Sequence, residues 1–174
     1  AEKAAFIKNY SNFPYICTLQ MFTMEKRTVK DILEGYKKVL HHDITVQGWV
    51  RAFRSNRFIA LNDGSTINNL QIVVDFESFD EAIIKQINTA SSLKITGEVV
   101  ESQGAGQTVE ILAKKIVILG DNFSEELQKT ILQPKKHSLE KLREEAHLRF
   151  RTNLFGAIFR VRSAVSFAIH EFFN

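Results

Sequence analysis

Three side chains able to hold a nucleobase, Phe58, Gln71 and Glu110, stand in segments where apolar and polar residues alternate. A phenyl ring is a stacking surface, a carboxylate accepts a proton from an exocyclic amine or imino group, and an amide can both donate and accept. Ile59 and Leu61 claim one face of their segment, which leaves Phe58 on the other. Leu70, Ile72 and Val74 oppose Gln71 and Val73, while Val109, Ile111 and Ala113 oppose Glu110. In an earlier run, Ile44, Val46 and Val50 share a side with Gly48, so that Thr45, Gln47, Trp49 and Arg51 point outward and Arg51 comes beside Phe58 and Gln71. The residues leave a rival open, in which Phe58 packs at a strand crossing, Gln71 is solvated and Glu110 pairs with Arg51 or Lys114.

The elements that must position these groups follow from the same periodicity. Residues 44–74 read as three short strands joined by tight turns. Residues 77–90 then change to helical spacing, with Phe79, Ile83, Ile84 and Ile87 on one side. Two further strands, SLKITGEVV and TVEILAKKIVIL, flank the glycine-bearing turn SQGAGQ. The order β-β-β-α-β-β is that of a five-stranded OB-fold barrel with a helix plugging its bottom. Gly104 and Gly106 invite a phosphate-loop reading, but they sit in a hairpin that no helix follows. Upstream, Thr28 with Asp31 resembles a capping box for a short helix carrying Val29, Ile32, Leu33 and Tyr36, which would cover one end of the sheet.

Downstream of the barrel, residues 121–134 lose periodicity, and Pro134 with Lys135 and Lys136 marks a boundary. SLEKLREEAHL predicts a short helix, RFRT interrupts it, and residues 153–174 predict a long helix capped by Thr152. On that helix Leu154, Ile158, Val161, Val165, Ile169 and Phe172 form a stripe that Phe155, Phe159, Phe167 and Phe173 widen. So broad an apolar face calls for a second domain or a second subunit. The resulting division is an extension at 1–23, a barrel domain at 24–120, a hinge at 121–137 and the start of another domain at 138–174. Met24 reads as a natural start, and residues 1–23 are left out of the functional reading because they lack a signal or transit pattern.

Composition narrows the function. The chain has 174 residues, 44% hydrophobic and 25% charged, as expected for a globular protein with a core. One cysteine, Cys17, excludes an internal disulfide and a multi-cysteine zinc site. His41, His42, His147 and His170 lack metal-ligand spacing, and no catalytic constellation is visible. No apolar run approaches the roughly 18 residues of a membrane span, so the chain reads as soluble, and its single cysteine fits a reducing, cytoplasmic home. The net charge of +3 is unevenly spread. Residues 44–119 hold 7 basic and 8 acidic side chains, whereas residues 135–174 hold 8 and 4. The sheet is therefore no general electrostatic funnel for nucleic acid, and its positive charge is concentrated in the turn RAFRSNR.

The runs GWVRAFRSNRFIALNDGS, LQIVV, ITGEVVESQGAGQTVEI and KKHSLEKLREEAHLRFRTNLFGAIFRVR together resemble the N-terminal part of asparaginyl-tRNA synthetases. The barrel pieces alone are shared with the aspartyl and lysyl enzymes; HSLEKLREEAHLRFRTN favours the asparaginyl branch. The resemblance implies an anticodon-binding OB domain, a hinge, and the first helix of a class II catalytic domain. It also implies that Phe58 stacks on the central anticodon uridine with Gln71 and Glu110 nearby, and that Arg51 and Arg54 touch anticodon phosphates or bases, Asn56 and Arg57 being further candidates. The implied partner is the anticodon loop of tRNA(Asn). ATP and Mg2+ are implied for the parent enzyme, whose homodimer would form through residues 154–173. Motifs two and three of the class do not occur, so the chain is expected to hold no catalytic residues or cofactor and to be inactive alone. Phe150 stands where related sequences often have proline. The rivals are a stand-alone single-strand-binding OB protein, an aspartyl-tRNA synthetase piece, and a dimerisation module working through the Phe-rich last helix.

Overall fold

The computed structural model describes residues 27–104, 106–122 and 124–174, and the readings made for residues 1–23 and Met24 lie outside them. Five strands, β1 (Asp43–Arg54), β2 (Phe58–Asn62), β3 (Leu70–Val73), β4 (Ser92–Glu101) and β5 (Val109–Gly120), close into a barrel in the order β1-β2-β3-β5-β4. Every ladder is antiparallel except β3 with β5. This is the expected five-stranded OB barrel.

Closure asks β1 to serve two neighbours. Asp43 to Trp49 pair with β4, and Trp49 to Arg54 pair with β2. A bulge between Val50 and Ala52 lets one strand bend from the first partner to the second. The next turn is set by Ser55 and Asn56, whose φ values of 51° and 50° make the mirror-image two-residue hairpin, closed by the Arg57 N–H on the Arg54 carbonyl at 3.0 Å. The inward alternation is satisfied in full: Val46, Val50, Ile59, Leu61, Leu70, Ile72, Leu93, Ile95, Val99, Val109 and Ile111 are buried in one core.

Three helices of the barrel region close or extend it. In α1 (Val29–Gly35) the capping box forms as expected, and the barrel supplies two further caps. Asp63 accepts the Val29 N–H at 2.9 Å and Ser65 Oγ accepts that of Lys30 at 3.0 Å. Helix α2 (Glu81–Lys85) is shorter than its predicted span, because Asp80 caps it and residues 76–78 form a separate 3-10 turn. Ile84 and Ile87 are still buried, with Phe79 and Ile83 packed against them. The supposedly aperiodic residues 121–134 contain α3 (Glu125–Thr130), a helix with no buried residue whose start is fixed by the Ser124 hydroxyl rather than by an apolar stripe. Beyond lie α4 (Leu139–Glu144), a 3-10 turn over Arg149–Arg151, and α5 (Asn153–Phe173) with Thr152 accepting the Phe155 N–H.

Candidate nucleic-acid interface

Strand register decides which outward side chains are neighbours. One row crosses the sheet as Ala52, Ala60, Gln71, Glu110 and Val100; the next runs Arg54, Phe58, Val73, Leu112 and Glu98. Gln71 and Glu110 are thus directly opposed on parallel strands, and Phe58 is diagonal to Gln71, at roughly 7–8 Å. Ala52 and Ala60 continue the Gln71 row with methyl groups only, which leaves a shallow floor beside the ring.

Gln71 Nε2 donates to Glu110 Oε2 at 3.0 Å, and the Ser102 hydroxyl donates to the same oxygen at 3.2 Å. The serine is itself held by the Gly104 N–H at 3.2 Å. With both donors directed at Oε2, Glu110 Oε1 and Gln71 Oε1 are the acceptors the couple can offer outward. The rival pairing of Glu110 with Lys114 is not what the side chains do. Lys114 lies 2.7 Å from Asp43 and 3.4 Å from Glu98, and those carboxylates raise its pKa, the Asp43 hydrogen bond most.

Arg54 and Arg57 flank Phe58. Arg54 faces Phe58 across the β1–β2 ladder, and the Arg57 guanidinium carbon is 5.8 Å from the Phe58 ring centroid. Asn56 is at the hairpin tip and exposed. Arg51, the extra residue of the bulge, lines a cleft with Trp49 and Arg151, a neighbourhood that alternation did not indicate. Periodicity cannot locate a residue that a bulge adds, since period two assumes an unbroken ladder. Ser102 went unrecognised as a member of the site. Counting outward from the hairpin would have found it, because Val100 opposes Glu110 and Ser102 stands two residues further on. No group of three or more His, Cys, Asp or Glu side chains able to hold a metal occurs among the described residues, and none of their helices is long and apolar enough to cross a membrane.

A barrel of this order, with an aromatic and a bonded amide–carboxylate couple on its outer face, has the fold of single-strand-binding modules, and residues 44–119 match the model of the OB-fold nucleic acid binding domain family. Over most of its length the chain is similar to the asparagine–tRNA ligases. It is 52% identical over 136 residues to the asparagine–tRNA ligase of Bacteroides fragilis, which covers 75% of this chain and 28% of that one. It is 49% identical over 156 residues to that of Porphyromonas gingivalis, covering 87% and 32%. The chain thus spans less than a third of the length of these relatives. The fold is shared with asparaginyl-tRNA synthetase from Pyrococcus horikoshii in complex with asparaginyl-adenylate, at a TM-score of 0.66 and 21% identity over 86% of this chain and 34% of that one.

Proposed function

We propose that the outward face of the barrel reads the central base of an asparagine anticodon, as the recognition domain of an asparagine–tRNA ligase. The observation that carries this reading is the Gln71–Glu110 couple at 3.0 Å, diagonal to Phe58. Stacking on Phe58 holds any base; the acceptor oxygens beside it choose among bases. Uracil brings an N–H at N3, which a carboxylate or amide oxygen accepts. Cytosine brings a lone pair to the same position, which those oxygens repel. Ser102 supports the selection by holding Glu110 Oε2.

The rest of the proposal extends the likeness to asparagine–tRNA ligases. The parent enzyme activates asparagine with ATP and Mg2+ and transfers it to tRNA(Asn) in the cytoplasm, while this chain alone forms no adenylate. Helix α5, whose stripe of Leu154, Ile158, Val161, Val165, Ile169 and Phe172 is exposed, joins a second copy in the parent homodimer.

The test is a titration of the chain with an anticodon stem-loop bearing GUU and the same loop bearing GCU, at two salt concentrations. A uridine preference that survives added salt is expected. Phe58→Ala should weaken both loops by about 1–3 kcal/mol, the worth of one stack. Glu110→Gln should relax the preference more than the affinity. Equal, salt-labile binding of both loops would instead describe a generic single-strand binder.

A further inference from the structure

Three residues before Ala52 on β1, or about 10 Å at the rise of a strand, Trp49 opens onto a cleft of about 230 Å³. One wall is the β2–β3 loop with Asn62, Gly64 and Thr66; the other is the junction from Phe150 through the first turn of α5. Three arginines, Arg51, Arg151 and Arg160, line it, and no carboxylate among the described residues does. The Arg151 guanidinium lies 5.1 Å from the Trp49 ring and 5.8 Å from that of Phe150, so its fork is oriented by stacking. Arg160 reaches across to the Gly64 carbonyl.

Among the described residues this collection of like charge lacks its counterpart. Burial, then the charge of Arg151, pushes the Arg51 guanidinium pKa down. The Arg151 Nε is enclosed and has no hydrogen-bond partner among the described residues. Nearby Asp63 is already engaged by the Val29 and Ser65 backbone N–H groups and the Ser65 hydroxyl. A buried donor and converging guanidiniums without an acceptor are costly unless an anion joins them. The positive end of α5, at Thr152 and Asn153, faces the same space.

We infer that the cleft is a phosphodiester site, in which Arg51 and Arg151 hold the backbone of the RNA strand whose base stacks on Phe58. The inference rests on the anticodon-loop reading. Its occupant is a strand rather than a free anion because the cleft continues the outward face of β1, and because the barrel itself, with 7 basic and 8 acidic residues over 44–119, does not supply the charge a strand requires. Arg151 and Arg160 bring that charge from the C-terminal region to the edge of the sheet. Arg160 fixes the wall, and the two stacked aromatics keep the fork open.

The chain's single tryptophan is in this cleft and reports its occupancy. Titration of the whole chain with the GUU stem-loop should change Trp49 fluorescence in step with binding. Arg151→Gln and Arg51→Gln should each weaken binding roughly tenfold, as loss of a charge-assisted hydrogen bond does, and leave the uridine preference intact. Each should also lower the slope of log affinity against log salt by about 0.7, one single-strand phosphate contact. A methylphosphonate placed at successive loop positions should reproduce the Arg151→Gln loss at one position, and there the two losses should not add. Silent Trp49 fluorescence, or an unchanged salt slope in both variants with circular dichroism intact, overturns the site. Uridine-selective binding with a silent Trp49 would overturn this inference alone. A Trp49 response that inorganic phosphate reproduces at equal concentration would overturn the strand as occupant. A response to RNA with no base preference would overturn the anticodon reading and leave the phosphate cleft standing.

Discussion

The barrel and α5 both divide apolar from polar residues by periodicity, yet they leave their apolar faces in opposite situations. Ile59, Leu61, Ile72, Leu93, Ile95 and Ile111 are fully enclosed by strands that return on themselves. None of the 21 residues of α5 is buried, and Phe167, Phe172 and Phe173 expose 70%, 83% and 79% of their surface. A closed barrel consumes its own inner face and leaves its outer one for ligands. A lone helix has no such closure, so its apolar stripe must be met by another surface. The difference separates a unit that encloses its own apolar residues from one that leaves them exposed.

The sharpest way to break this comparison uses one glycine from each region. A Cβ on Gly97 would fall 2.1 Å from the Leu112 carbonyl oxygen and 2.8 Å from an Ile111 methyl, where β4 and β5 shift register. Backbone cannot yield that distance, so Gly97→Ala should cost more than about 3 kcal/mol in urea unfolding or abolish folding. A Cβ on Gly156 in α5 meets only the Phe150 carbonyl at 3.5 Å, an ordinary contact. Gly156→Ala should be neutral or stabilise by up to about 1 kcal/mol through helix propensity. Similar losses at both positions would mean that α5 is packed as tightly as the barrel.

Next in size comes the exposed face itself. Replacing Phe167 and Phe172 by serine should change barrel stability by less than about 0.5 kcal/mol, since neither side chain is buried. The same pair of changes should shift sedimentation toward monomer at concentrations where the unsubstituted chain associates. A large drop in melting temperature with unchanged sedimentation would show that the helix serves its own chain and no second copy.

The two regions also differed in how legible they were. Period-two alternation placed Ile59, Ile72 and Ile111 inward, and so put Phe58, Gln71 and Glu110 outward, because inside and outside are the only choices a strand has. Thr28 and Thr152 marked helix starts because an N-cap needs a side-chain oxygen at one definite position. What escaped were features defined by departure from periodicity or by tertiary contact. The bulge that turns Arg51 toward Arg151 has no signature in alternation. The five-residue length of α2 is set by the Asp80 cap and the separate turn before it, although its apolar spacing suggested a longer helix. The stacking of Arg151 on Trp49 joins residues 102 positions apart, a distance over which pattern carries no information.

The smallest effect tests whether α1 is held by its own caps or by the barrel. Three N–H groups of its first turn are taken by three different acceptors: Asp63 for Val29, Ser65 for Lys30, and Thr28 for Asp31 at 3.1 Å. Thr28→Ala removes only the last, and should cost about 1 kcal/mol at neutral pH. The Thr28 hydroxyl and then its backbone N–H also hold the Asp31 carboxyl below its ordinary 3.8. A depressed folded-state pKa stabilises above the unfolded value and is lost as pH falls through the folded one. The gap between the original chain and Thr28→Ala should therefore be constant from neutral pH to about 4 and narrow below 3.8, where protonation removes the carboxylate's share from the original chain. Urea unfolding at neutral pH and at successive steps below 3.8 measures it. A gap that stays constant to the lowest pH would assign the cap to the threonine oxygen alone, and would leave Asp63 and Ser65 as the barrel's own hold on the helix.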